Sequence, residues 1–524
     1  MPQHNNRLRK GLLLRDQSCI IHVMREKFRK IVESPVGGYL DKFCNSVWYI
    51  IAIGAVCVLC HSLDIPVVGA ALLTVLLVPA LLFCKNSFVL APFLMMCAFV
   101  LSEETKPDTG YYNTPLRISV LCIVLVIIII ALLFNLIYYR KWKLIFKKAY
   151  FSASLALMSG ALLIGGVGAE TFTFSGVGTA LSIAIASFLP YSLMINCGEY
   201  KGKKTVDYFS WTLIVAAAVI AIGFFQQFVK NDFNFQMSAV KDFLKLGYVG
   251  PNTGAAIVTM AIPITFYFVY KYKYGYLFML LIALELLVVI VTYSRASLVV
   301  ALPGTVIVSI VLCFKKKSGR RGYLITFGLC VLAVVALAII FRNFLFDKVT
   351  ALFEGNVTGS GRTKLWKSGF NAWCKTPIFG IGIWFLRIDG AHWYYSFHCT
   401  PLTYLFCGGI VGLAAYVYHR YKTVRIVFSA KLTAERVFIA LTVLAMLCNA
   451  LLDIAMTSPT HLLYYGIMLA LLECDVKKIK AETSAQTESV VADGDPVESV
   501  STRPDHADTN EKTNIEIDSK EGVK

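Results

Sequence analysis

Apolar runs close to the length of a bilayer crossing recur from about Val47 to about Leu472, separated by short basic, Gly-rich or Pro-rich segments. About 20 apolar residues in a helix span the hydrocarbon core. The pattern predicts an all-α integral membrane protein with about 12–14 transmembrane helices. Helices 1–11 fall within 47–341 and helices 12–14 within 401–474, with one long polar segment, 342–400, between them. A membrane β-barrel is excluded, because barrel strands are short and alternate apolar with polar positions.

The two ends depart from this pattern. Residues 1–46 hold Arg7, Arg9, Lys10, Arg15, Arg25, Lys27, Arg29 and Lys30 without a clean apolar h-region or cleavage site, and read as a retained basic tail. Residues 475–524 are dominated by Asp, Glu, Ser, Thr and Lys, and are predicted to be disordered because they have too little apolar surface to bury. Within that tail, Asp493-Gly494-Asp495 imitates a metal-binding DxD sequence by chance.

Composition agrees with the periodicity: 57% of residues are hydrophobic and 16% charged, against about 45–50% and about 25% in soluble domains. The net charge of +18 would point to nucleic acid in a soluble protein. Here the basic residues cluster between apolar runs, at Arg140 to Lys143 with Lys147-Lys148, Lys201 to Lys204, Lys271 to Lys273, Lys315 to Lys317 with Arg320-Arg321, and His419 to Arg425. With the N-terminus in the cytoplasm, all of these clusters fall on the cytoplasmic side. That register places both termini in the cytoplasm and leaves no call for a nucleic-acid partner. Of the 15 cysteines, many sit inside apolar runs and read as small hydrophobes. Cys57-Val58-Leu59-Cys60-His61 matches a haem-attachment pattern, but it finishes an apolar span, so packing is the reading adopted.

The same register puts 342–400 outside the membrane, and loops of this length are usually functional. Lys348, Arg362, Lys364, Lys367, Lys375 and Arg387 outnumber its acids, which suits an anionic ligand or lipid headgroups. Trp366, Phe370 and Trp373 recur at helical spacing, predicting an interfacial helix. Glu285 and Asp453 fall inside predicted spans, where a carboxylate costs about 2.5–3.5 kcal/mol. Proton coupling and an interhelical hydrogen bond both account for such a group, and Asp453 lies close to the predicted outer surface.

Four short segments converge on that outer side: Gly250-Pro251-Asn252-Thr253-Gly254, Tyr293-Ser294-Arg295-Ala296-Ser297, Gly359-Ser360-Gly361-Arg362, and His398-Cys399-Thr400-Pro401-Leu402 followed by Gly408-Gly409 and Gly412. Arg295 stands in a tight outer turn, against the topological bias. A guanidinium there offers paired donors to phosphate oxygens, or anchors to lipid phosphate. Asn252 either binds sugar hydroxyls or caps its helix.

Ser294-Arg295, then Gly361-Arg362 with Trp366, then Thr376-Pro377-Ile378-Phe379-Gly380-Ile381-Gly382, then His398 with Leu402 and Gly409-Ile410-Val411-Gly412 resemble, in order and spacing, the O-antigen ligase and polymerase family of bacterial membrane glycosyltransferases. The resemblance covers roughly 245–415. It departs at Cys399, where the family often has Asn or Ser. It implies transfer of a glycan from a polyprenyl-diphosphate carrier to a glycan or lipid acceptor, or polymerisation of repeat units, at the outer face of the bacterial cytoplasmic membrane. In that chemistry His398 is the candidate base, Arg295 and Arg362 hold the diphosphate, and Asn252, Trp366 and His392 are candidate glycan contacts. The partners implied are the lipid-linked glycan, the acceptor and membrane lipids; no cofactor and no metal are called for. The alternative is a transporter or flippase of lipid-linked glycans, with Glu285 as its coupling carboxylate.

Overall fold

A backbone amide in hydrocarbon has no water to bond to, so a long apolar run satisfies its N–H and C=O groups by coiling into a helix. The computed structural model describes residues 26, 28–100, 115–139, 141–145, 147–170, 172, 174–340, 362–383, 386–388, 392–394, 397–453 and 457–492. Its helices are α1 (Pro35–Cys44), α2 (Val47–Ser62), α3 (Pro66–Phe83), the broken α4 (Ser87–Phe99), α5 (Pro115–Tyr138), α6 (Ser152–Leu163), α7 (Phe174–Cys197), α8 (Lys203–Lys230), α9 (Met237–Phe243), α10 (Pro251–Lys271), α11 (Phe278–Val291) and α12 (Arg295–Lys315). There follow α13 (Arg320–Ile340), α14 (Arg362–Trp373), a two-stranded antiparallel hairpin of β1 (Leu386–Ile388) and β2 (His392–Tyr394), α15 (Thr400–Val427), α16 (Ala434–Leu452) and α17 (Pro459–Ala492).

The protein is an all-α integral membrane protein, and the small hairpin in the long loop is an exception that the apolar pattern did not signal. Among the described residues eight helices are long and apolar enough to cross a membrane, or nine if α1 and α2, bent by 69°, count as one span. The expected count of about 12–14 is larger because some apolar runs form short helices: Ser87–Phe99, Ser152–Leu163 and Gly275–Val291. The bundle is built around α10, whose most apolar stretch is 83% buried and which packs against α8, α11, α12 and α16.

One flanking expectation meets a different structure. Residues 475–492 continue α17, where composition predicted disorder from 475 onward. Asp475 pairs with the buried Arg436 at 2.9 Å and Val476 is buried, so the first turn past 474 is packed; Lys, Ala and Glu then favour helix. Within the basic tail, Pro35–Cys44 is a helix opened by Ser34, whose hydroxyl accepts from Gly37 N. The Asp493–Asp495 sequence and Arg7 to Arg25 lie outside the described residues. The Cys57 and Cys60 thiols are buried within the bundle, and the His61 ring meets Gln227 at 2.9 Å, which is packing chemistry.

The fold's sharpest backbone feature is the break in α15 at Gly409 (φ 68°, ψ −162°). The break frees carbonyls before it and N–H groups after it, and the segment 377–382 docks onto them. Ile381 N and Gly382 N donate to Phe406 O and Cys407 O at 2.8 and 3.0 Å, and Ile410 N donates to Pro377 O at 2.9 Å. The close approach needs glycines: a Cβ on Gly409 would lie 2.0 Å from Ile378 O, and one on Gly380 (φ 69°) 2.4 Å from Phe406 O. Gly409→Ala is therefore expected to destabilise the protein by on the order of 1–3 kcal/mol from its backbone conformation alone. Gly408→Ala, whose Cβ meets Ala161 O at an ordinary 3.5 Å, should be tolerated. Thermal unfolding of the two variants in detergent, followed by size-exclusion chromatography, checks this; equal losses would contradict it.

Candidate functional site

The helix start at α12 and the helix end at α16 are tied together. Ser294 Oγ donates to Ser297 Oγ at 3.2 Å, and Ser297 Oγ donates to Asn449 Oδ1 at 3.0 Å. Arg295 thus leaves the first turn of α12 beside the last turn of α16. Arg362, at the start of α14, donates from Nη1 to Leu452 O at 2.8 Å, satisfying a carbonyl that α16 leaves open at its C-terminus. The next residue, Asp453, accepts a hydrogen bond from His398: Nδ1 and Oδ1 are 3.0 Å apart. A carboxylate only accepts, so the proton sits on Nδ1 and the basic lone pair is on Nε2. Thr400 Oγ1 also reaches Asp453 O at 3.4 Å.

Both motif turns bend through the left-handed region. Tyr293, before Ser294-Arg295, has φ 51°, and His398 has φ 49°. Such conformations cost free energy in residues with a Cβ and persist where neighbouring structure enforces them. At His398 the enforcement is visible: the Trp366 indole N–H donates to Phe397 O at 2.7 Å, and Phe397 packs edge-on to Phe406 with ring centroids 4.8 Å apart.

His398, Asp453, Asn252, Asn449, Lys241 and His461 line one cavity of about 280 Å³. Lys241 Nζ, from α9, donates to Asn252 Oδ1 at 2.6 Å. Burial pushes the Lys241 ammonium down to about 8; Asp453 opposes that shift, and the Arg295 and Arg362 guanidiniums add to it. Those two arginines do not line the cavity wall, yet their charge is felt at Lys241. His461 is buried in the lining, and neither of its ring nitrogens has a hydrogen-bond partner among the described residues. A second space, about 430 Å³ and almost wholly apolar, lies between α10, α12 and α16. Its lining includes Val299, one turn beyond Arg295, and Leu452, the residue whose carbonyl Arg362 caps.

The sequence-predicted residues thus fall into three groups. His398 and Asn252 share the cavity, and Arg295 and Arg362 flank it. Trp366 holds the backbone next to His398 with its indole N–H. His392 is paired with Ile388 in the hairpin, and its side chain lies outside what the structure describes. Sequence reasoning missed Lys241, Asn449 and His461. His461 carried a readable signal, an ionisable residue opening an apolar run; Lys241 looked like any loop lysine.

A polytopic helical membrane protein with a histidine–carboxylate pair, three nearby cations and an adjoining apolar groove is the class that fold and site define. Residues 277–417 match the family model described as O-antigen ligase, so the family resemblance is shown over that segment. Arg295, Arg362, Trp366 and His398 lie inside the match; Lys241, Asn252, Asn449, Asp453 and His461 lie outside it. No curated protein matches the chain.

The Lys241 value fixes a measurable behaviour. Competitive acetylation from neutral to alkaline pH, read by mass spectrometry, is expected to give a midpoint near 8 for Lys241 against the ordinary 10.5. Because the unfolded chain binds more protons between those values, this group destabilises the fold below about 8 and that cost is relieved as pH rises towards 10.5. A midpoint at the ordinary value would contradict the buried placement.

Proposed function

We propose that the protein transfers a glycan from a polyprenyl-diphosphate carrier to an acceptor hydroxyl, or extends the glycan by the same reaction, at the outer face of a bacterial cytoplasmic membrane. The observation that carries this reading is the His398–Asp453 pair, 3.0 Å apart, opening onto a cavity within the field of Lys241, Arg295 and Arg362.

The acceptor oxygen forms a bond to the anomeric carbon as that carbon's bond to the phosphate oxygen breaks. The electron pair leaves with the carrier diphosphate, and the acceptor proton goes to His398 Nε2. Asp453 holds the imidazole in the required tautomer and offsets its charge once protonated. Two guanidiniums and an ammonium fixed around a partly desolvated site stabilise the growing charge on the diphosphate. The apolar groove between α10, α12 and α16 suits the carrier's isoprenoid chain, since it begins where the arginines end. Asn252 and His461 face the remaining space, where sugar hydroxyls need donors and acceptors.

Purified protein in liposomes containing native lipid-linked oligosaccharide, without ATP or nucleotide sugar, tests the reading. Wild type is expected to transfer or lengthen glycan. His398→Ala should lower the rate by about 10²–10⁴-fold, the range for loss of a general base. Arg362→Lys should raise the carrier concentration needed, because an ammonium does not reproduce paired guanidinium donors. Oligosaccharide moved across the bilayer without product would establish a flippase instead.

A further inference from the structure

A second polar cavity lies at the opposite end of the bundle. Tyr267 and Lys271, near the end of α10, bond Asp207 near the start of α8 at 3.2 and 2.5 Å. Asn252, at the other end of α10, faces the candidate site. The start of α8 is therefore about a helix length away, roughly 30 Å at about 1.5 Å per residue.

There a space of about 330 Å³ is lined by Asp41, Lys42 and Asn45 of α1, Asn86 before α4, and Lys201 and Lys204 at the entry to α8. Its acids and amides are already engaged. Asp41 accepts from Asn45 Nδ2 at 3.1 Å, and Asn86 Oδ1 accepts from Phe88 N and Glu199 N at 3.1 and 2.9 Å. Glu199 is shared between Lys85 at 3.1 Å and Lys201 at 3.6 Å. Lys42 and Lys204 have no carboxylate at ion-pair distance among the described residues. The cavity thus has unneutralised positive charge.

The surrounding surface says what kind of anion fits. α1 is bent 69° from α2, so when α2 stands across a bilayer α1 lies nearer its plane. Val36, Tyr39 and Phe43, spaced along one face of α1, are 65%, 72% and 37% exposed, and Trp48 at the start of α2 is 71% exposed. An apolar stripe beside a basic lining is the pattern of a helix at the headgroup boundary. A soluble anion would use the lysines and leave the stripe unexplained; an anionic phospholipid uses both.

We propose that this cavity binds the phosphate-bearing headgroup of an anionic phospholipid, with the acyl chains lying beside Phe43 and Trp48. Lys42 and Lys204 contact the phosphate oxygens. The site is independent of the glycan-transfer reading, in the leaflet opposite the candidate active site.

The test uses the full chain, purified in detergent and titrated with phosphatidylglycerol, phosphatidylcholine or inorganic phosphate, with bound lipid read by native mass spectrometry. Wild type should retain phosphatidylglycerol in preference to phosphatidylcholine. The double substitution Lys42→Gln with Lys204→Gln should weaken that retention on the order of tenfold. Lys273→Gln, an exposed lysine outside the cavity, should not weaken it. Both variants should keep the wild-type melting profile when delipidated, which separates lost binding from lost folding. Equal retention by the double variant, or equal retention of phosphatidylcholine, would overturn the proposal. Displacement of the lipid by millimolar inorganic phosphate would assign the cavity to a soluble anion and overturn its lipid source.

Discussion

Unpaired backbone groups are not tolerated in hydrocarbon, and this constraint organises the half of the molecule that carries the chemistry. α15 is interrupted at Gly409, and the polar groups released there are taken up by residues 377–382 of the preceding loop. The loop is thereby fixed to the bundle at main-chain level. Its helix α14 gains a second attachment where Gly369 sits against Phe397 and Phe406, close enough that a Cβ would lie 2.4 Å from the Phe397 ring. With α14 seated, Trp366 reaches Phe397 O and Arg362 reaches Leu452 O. The position of His398 follows from these contacts, since it is the residue between Phe397 and the first turns of α15.

Charge explains why these attachments converge where they do. The end of α16 presents open carbonyls and the Asp453 carboxylate, a local excess of negative charge. Arg362 and His398 bond to it directly, and Lys241, in the same cavity lining, is held by Asn252. One carboxylate among three cations leaves the site with a surplus of positive charge. Such a surplus is costly without a ligand: burial is the main cause of the depressed Lys241 value, and the Arg295 and Arg362 charges add to it. An anion entering the site relieves the repulsion, which on the proposed reading makes the diphosphate, rather than a neutral sugar, the anchoring group.

How far the sequence revealed this depended on the range of the interaction. Helices were legible because hydropathy acts within one segment, although α4, α6 and α11 show that an apolar run does not set helix length. The helix carrying Trp366 was legible from spacing, and His398, Arg295 and Arg362 were singled out by the ordered motifs around them. Asp453 was visible as an anomaly but not as a partner, because its 3.0 Å contact joins residues 55 positions apart. Lys241 and Asn449 gave no local signal: their roles come from bonds to Asn252 and Ser297 that only tertiary packing creates. The helical continuation past 474 was hidden because tail composition cannot report that Arg436 is waiting for Asp475.

The limits of the matched segment divide the proposed site in a way chemistry makes sense of. Residues 277–417 contain His398, Arg295 and Arg362, which on the proposed reading act on the acceptor proton and the diphosphate. Those tasks are the same whatever sugar is carried. Asn252 and His461, which face the space a sugar would fill, come from helices outside the segment. A neutral histidine has one donor and one acceptor, and a buried one with both unpartnered pays desolvation until a ligand supplies the complement. Neighbouring sugar hydroxyls supply that complement. On the proposed reading, the choice of glycan is therefore made by lining residues of α10 and α17, and the reaction is carried out by His398 with the two arginines that flank the cavity.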